Sequence, residues 1–294
     1  MYGVQCVTLM RNPLDISIVR RHAVLRKGVA LAMRPVGNIQ ATVMPAGSWQ
    51  TRPPIIVHSL PKSGTHLLLQ QVRAVPGGRY LGRFIASSPS ISQKTRHPQA
   101  IVRRLRSVAP GERVGGHLFH SGDVEQTLRE RNFVSLFICR DPRDVLISEL
   151  HYLTEMNRWH RMHRYFKRLP DFSDRLSLAL NGMDDRYPEC NKRFLPYAGW
   201  MKSKGTLVVR YEALIGPDRD DVLCEIIARF KIQGGFIPDA ESVLSAMKLA
   251  GDPSASHTFR EGGTGKWRRD LTDQQADEIT ERLAPSLSAF GYVD

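Results

Sequence analysis

Cysteine is scarce and scattered. Cys6, Cys139, Cys190 and Cys224 are the only four in 294 residues, and no two share a C-x-x-C spacing. That excludes a zinc knuckle and a disulfide framework, and the usage suits a reducing cytoplasm. No stretch approaches the ~18 consecutive apolar residues needed to cross a bilayer, so no spanning helix is expected. Internal repeats are lacking too. The ATP/GTP loop pattern G-x-x-x-x-G-K-[ST] is missing: Lys62 precedes its only nearby glycine, and Gly265-Lys266 is followed by Trp267, with Gly262 at the wrong distance. Acid is sparse in the first 54 residues, where Asp15 stands alone against Arg11, Arg20, Arg21, Arg26, Lys27, Arg34 and Arg52. That surplus of six is nearly half of the chain's net charge of +13.

What is present begins with the apolar run Ile55-Ile56-Val57, followed by Leu60-Pro61-Lys62-Ser63-Gly64-Thr65-His66-Leu67 and then Leu68-Leu69. This reads as a strand ending in a lysine-bearing turn that opens a helix. Such a turn aims unpaired N–H groups at an anion; Ser63 and Thr65 add hydroxyls, and Gly64 lets the backbone approach closely. A second strand, Phe133 to Cys139, ends at Arg140 and is followed by Asp141-Pro142-Arg143-Asp144-Val145-Leu146-Ile147-Ser148. The proline suits the first position of a helix that carries Ser148 on its second turn. An arginine fork and a hydroxyl suit phosphate. Taken singly, either segment could be an ordinary capped turn.

The order Pro61-Lys62-Ser63-Gly64-Thr65 resembles the 5′-phosphosulfate loop of sulfotransferases that use 3′-phosphoadenosine 5′-phosphosulfate (PAPS). The resemblance extends to Arg140 and Ser148, which have the spacing of the family's 3′-phosphate ligands. Leu207 to Leu214 resembles its third strand, with Tyr211 near the adenine. Phe259 to Arg268 resembles its glycine-rich loop, typically Arg-Lys-Gly-x-x-Gly-Asp-Trp-Lys. Arg260, Gly262, Gly265 and Trp267 match; Glu261 and Lys266 depart from it, as though a charge pair had been exchanged. His66 lies within the first loop, and Leu67 replaces a tryptophan that stacks on adenine, so that stacking is lost here. The signatures cover about residues 54–294 in family order.

The resemblance implies an α/β fold: a single P-loop-like domain with a central parallel sheet flanked by helices, over residues 54–294. It implies in-line transfer of a sulfuryl group from PAPS to a hydroxyl or amine, with no metal. His117, in Arg113-Val114-Gly115-Gly116-His117-Leu118, falls where the family has its catalytic histidine; His120 is the local competitor. A histidine with an ordinary pKa near ~6.5 can take the acceptor's proton, while Lys62 relieves charge on the leaving oxygen. His151 reads as a packing residue. The alternative is a non-catalytic relative that binds nucleotide or polyanion.

The acceptor is expected to be a small molecule, glycan or glycolipid. The basic stretch Arg158 to Arg168 would border its cleft, with Trp159, Met162, Phe166 and Leu169 turned inward at near-helical spacing. Tyr197 and Trp200 are further candidates for its walls. No nucleic-acid module is recognisable, so no nucleic acid is expected. Residues 1–53 read as a basic, poorly ordered extension, because Pro35, Pro45, Pro53 and Pro54 break it and its apolar positions form no clean helical stripe. Peripheral membrane contact through this extension and a homodimer are the remaining partner expectations. A cytoplasmic location follows from the cysteine usage and the lack of a spanning segment.

Overall fold

A computed structural model describes residues 12–16, 18–19, 22–90, 92, 94–184, 186–251 and 263–292. The first long element is helix α1, Ala23–Val43. Then come β1 (Ile55–Ser59), α2 (Thr65–Val72), β2 (Arg79–Ala86), α3 (Pro98–Arg106), β3 (Glu112–His117), α4 (Gly122–Glu130), β4 (Val134–Cys139) and α5 (Pro142–His151). After α6 (Phe172–Asn181) the last strand is β5 (Thr206–Arg210), followed by α7 (Arg219–Ile232), α8 (Ala240–Ala250) and α9 (Asp273–Arg282).

The strands form one parallel sheet in the order β2-β3-β1-β4-β5. β1 and β4 are buried along their whole length, which is why they are mostly apolar, with His58, Ser59 and Ser135 as buried polar exceptions: helices cover both faces of a parallel sheet. Alternate residues supply two cores. Ile56, Phe137 and Cys139 face α3, α4 and α5, whereas Ile55, Val57, Leu136 and Ile138 face α2, α7 and α8. Burial of each large apolar side chain contributes about 1.5–3 kcal/mol. β1 lies between β3 and β4, and the chain departs to opposite sides from there. The crevice at the C-terminal ends of β1 and β4 is therefore a topological switch point, where open sheets hold ligands.

Helix α5 starts as its sequence implies, with the Asp141 carboxylate accepting from the N–H of Arg143 and Pro142 in the first turn. Several expectations change. The segment expected as a strand through Leu214 leaves the sheet at Arg210, and Tyr211–Ile215 is a turn of helix. There the Glu212 carboxylate accepts from the N–H of Asp141 and from the Tyr292 hydroxyl, so it ties this turn to the start of α5. In the basic stretch only His163–Arg168 is α-helical; Met162 and Phe166 are buried, but Trp159 is 80% exposed. Tyr197 and Trp200 are core residues rather than cleft walls: both are buried, and the Trp200 indole donates to the carbonyl of Leu118.

Residues Ala23–Val43 lie in the segment that composition marked as poorly ordered, and they form α1. Alanine, leucine, methionine and glutamine favour the helix despite Pro35. The helix covers β2, an edge strand: Ala30 joins Leu14 and Val19 in a small apolar cluster beside Tyr80, and Arg79 donates to Gln40. Covering an exposed edge prevents it from pairing with another chain.

Candidate functional site

The turn between β1 and α2 carries two residues in left-handed conformation, Lys62 (φ 70°) and Gly64 (φ 94°). At Gly64 a side chain would be strained, and a Cβ would come within 2.5 Å of the Tyr211 ring. Lys62 adopts its conformation without glycine's freedom, at a cost of order 1–3 kcal/mol, a feature that clusters at functional sites. Ser63 is fully buried, and its Oγ has no hydrogen-bond partner among the described residues. The ammonium of Lys62 lies 4.2 Å from the centre of the Tyr152 ring. Burial lowers the Lys62 pKa to about 8, with Glu149 opposing and Arg140 reinforcing the shift.

Arg140, at the C-terminal end of β4, is buried. Its Nη2 donates to the carbonyl of Gly263 (3.0 Å) and pairs with Asp144 (3.2 Å), its guanidinium lies 4.7 Å from the centre of the Tyr211 ring, and its Nε has no partner among the described residues. Lys62, Arg140, Asp144, Ser148 and Lys266 line one pocket together with His151. The spacing of Arg140 and Ser148 along the chain thus places both on a single cavity that Lys62 shares.

Asp144 was not singled out by sequence. Besides pairing with Arg140, its carboxylate accepts from the N–H groups of Gly265 (2.9 Å) and Trp267 (3.2 Å). It therefore fastens the end of the glycine-rich loop to α5. Trp267 completes the anchor, buried between the guanidinium groups of Arg143 (4.1 Å) and Arg268 (4.4 Å). Arg260 and Gly262, also expected at this site, lie outside the described residues.

His117 ends β3 opposite Ala86. Its Nδ1 is 3.1 Å from both the hydroxyl and the carbonyl oxygen of Ser59. A carbonyl only accepts, so in that bond Nδ1 carries the proton and Nε2 keeps its lone pair. The Ser59 hydroxyl also bonds Thr65, joining the phosphate-type turn to the histidine. Burial, with a smaller effect from the charge of Lys62, brings the His117 pKa down to about 4, against a bond to Ser59 that raises it. The ring meets Phe84 edge-on at 4.9 Å, and His66 stacks on the same phenyl at 5.9 Å, so His66 adjoins the histidine side of the site rather than lining the Lys62 pocket.

His120 is engaged elsewhere. Its Nε2 is 3.0 Å from Glu125, and its ring packs against Trp200. His151 lines the Lys62 pocket while its Nδ1 bonds Glu155. Ser59 and Tyr152 also escaped sequence reasoning; serine at a strand end and tyrosine after a helix carry no signal until their partners are known. Asp144 could have been found, since its position one turn after Arg140 on α5 is the geometry of an i,i+4 ion pair. Among the described residues no group of histidine, cysteine and carboxylate side chains could hold a metal ion.

A family model described as a sulfotransferase domain matches residues 52–216. Curated protein sequences yield no match. Among solved structures, mouse sulfotransferase SULT7A1 complexed with PAP superimposes with a TM-score of 0.54 at 19% identity, over 85% of this chain and 93% of that one. Retinol dehydratase in complex with androsterone and inactive cofactor PAP gives 0.53 at 15% identity, covering 88% and 85% of the two chains. Its complex with retinol and PAP gives 0.52 at 14%, covering 87% and 86%. At these identities the likeness is one of fold.

Proposed function

The chain belongs to the sulfotransferase-domain family, and from that premise we propose that it moves a sulfuryl group from PAPS to a hydroxyl or amine acceptor. The observation that carries this reading is the convergence of Lys62, Arg140 and Ser148 on one pocket at the sheet's switch point. The residues suit a nucleotide with phosphate at both ends. Ser63 Oγ and Arg140 Nε are buried donors with no partner among the described residues, the situation a bound anion would relieve. Ser63, Gly64 and Thr65 would hold the 5′ end, and Arg140, Ser148 and, from the glycine-rich loop, Arg260 and Gly262 the 3′-phosphate. Tyr211 would flank the adenine.

His117 acts as the base. With Nδ1 donating to Ser59, Nε2 is the atom that accepts the acceptor's proton as the acceptor oxygen bonds to sulfur and the bond from sulfur to the bridging phosphate oxygen breaks. A pKa near 4 keeps the imidazole neutral and ready at working pH. Lys62 neutralises the charge that develops on the departing oxygen, an effect strengthened by exclusion of water. Positioning and electrostatics suffice, as they do for phosphoryl transfer. The acceptor approaches past Phe84 and His66. Retinol and androsterone, named with a structural neighbour, make hydroxylated small molecules the first class to try.

Incubation with labelled PAPS and a panel of phenols, sterols, glycans and glycolipids tests the proposal. Transfer to at least one class is expected. Tight binding of 3′,5′-ADP with no transfer to any acceptor would instead make the chain a nucleotide-binding relative without activity.

A further inference from the structure

One buried serine stands between the nucleotide turn and the base. Ser59, the last residue of β1, is fully buried, and the proposed transfer makes no use of its hydroxyl. The strand register puts it there: His58 pairs with Gly116, so Ser59 stands next to His117 at the end of β3. The chain then turns into α2, whose first residue is Thr65. Ser59 Oγ is accordingly 3.1 Å from His117 Nδ1 on one side and hydrogen-bonded to Thr65 Oγ1 on the other.

The chemistry of the groups fixes the direction of each bond. The Ser59 carbonyl, 3.1 Å from the same Nδ1, can only accept, so Nδ1 carries a proton. A protonated Nδ1 has no lone pair to offer. The Ser59 hydroxyl therefore accepts from it as well, and its own proton goes to Thr65 Oγ1. Thr65 is left with a hydroxyl proton and, among the described residues, no second partner for it, although the side chain is buried. Buried polar groups in that state are uncommon. Close by on the same turn, Ser63 Oγ is fully buried and also lacks a partner among the described residues. An anion held on this turn would accept from Thr65 and complete a chain whose bonds all point one way, from imidazole to Ser59, from Ser59 to Thr65 and from Thr65 to the anion. Bonds in such a chain polarise one another.

We propose that Ser59 is a positioning residue that couples donor binding to the base: through Thr65 it relays the pull of the nucleotide's 5′ anion to the Nδ1–H of His117, and Nε2 becomes more basic. This rests on the proposed sulfuryl transfer and adds an order to it, since His117 reaches its full basicity only when the donor is on the turn. Without nucleotide, burial and the nearby charge of Lys62 hold the His117 pKa near 4, against the bond to Ser59 that raises it. The other titratable groups around the ring are His58 on β1, which burial keeps neutral with a pKa of about 3, and His66 of α2 on the Phe84 ring. An anion that offsets the charge of Lys62 would also raise the basicity of His117, so the test must separate the charge from the chain.

NMR of the full chain at neutral pH, with the histidine ring nitrogens labelled, supplies a signal that needs no turnover. Saturating 3′,5′-ADP should move the Nδ1–H proton of His117 downfield, as a strengthened hydrogen bond does, whereas 3′-AMP, which lacks the 5′ anion, should leave it in place. This wild-type comparison stands without any variant. In Ser59→Ala the movement should be lost although Lys62 is intact, with 3′,5′-ADP affinity changed by less than about threefold and kcat lowered about tenfold. Ser59→Thr, which returns the hydroxyl, should recover both the movement and kcat. Bound 3′,5′-ADP with an unmoved resonance, or the same movement in Ser59→Ala, would overturn the coupling and leave the proposed function standing. Failure of 3′,5′-ADP to bind at all would overturn the nucleotide site, and the coupling with it.

Discussion

Positive charge gathers in two regions of the molecule that are built in opposite ways. At the C-terminal ends of β1 and β4, Arg140 is buried and its Nη2 directed by Asp144 and Gly263, while Lys62 is half-buried in a strained turn. At the cleft between α1 and α3, Arg34 and Arg104 stand exposed. Cations fixed in the interior select a ligand by shape and by the placement of its oxygens. Cations at the surface read only sign, and salt screens them within roughly 8 Å at physiological ionic strength. The first arrangement suits a small, dense anion and the second an extended one.

The sharpest way to break the comparison is to disable one region and watch the other. His117→Ala should lower turnover by roughly two to four orders of magnitude, with 3′,5′-ADP affinity unchanged. Lys62→Ala should lower both turnover and nucleotide affinity. Arg34→Gln and Arg104→Gln should leave both unchanged; if either weakens 3′,5′-ADP, the two regions are coupled and the separation fails.

Asp144→Asn comes next in size. It removes the charge opposite Arg140 and weakens the anchor of the glycine-rich loop, which should cost about 1–3 kcal/mol of stability in thermal unfolding. The same change should weaken 3′,5′-ADP, because the loop bearing Arg260 is no longer held against α5. An unchanged melting temperature would show that Trp267 anchors the loop alone.

The pH profile of kcat/KM should be flat-topped, with limbs set by two depressed pKa values. Neutral His117 is required and is lost below about 4; charged Lys62 is required and is lost above about 8. Stability should follow the histidines. His58 and His117 have folded pKa values of about 3 and 4, lowered chiefly by burial. The unfolded chain therefore takes up protons first as pH falls from about 6.5, and stability declines from there toward pH 4. A low-pH limb near 6.5 would mean that His117 is solvated in the working enzyme. The smallest expected effect belongs to Ser148→Ala, which should weaken 3′,5′-ADP by about 1 kcal/mol, or roughly fivefold, and leave 5′-AMP unchanged.

Local signals in the sequence anticipated much of this architecture. The mostly apolar runs of β1 and β4, the Lys62 turn and the capped start of α5 each declare themselves over a few residues, and they place the pocket. Edge strand β2 does not, because Gly82 and Arg83 interrupt its pattern and its burial comes from α1. Ser59 acts on a partner 58 positions away and Asp144 also fastens a loop 121 positions away, so those contacts exist only after folding. Helix α1 was hidden for another reason: Pro35 reads as a breaker, yet the helix runs through it.

Calorimetry of the full chain with 3′,5′-ADP and with 5′-AMP tests the central claim, that Arg140 and Ser148 form a site for the 3′-phosphate of a nucleotide whose 5′ end lies on the Lys62 turn. The account predicts that 3′,5′-ADP binds at least about tenfold more tightly, as expected for an added charge-assisted phosphate contact, and that it raises the melting temperature. Equal affinity for the two nucleotides would contradict it.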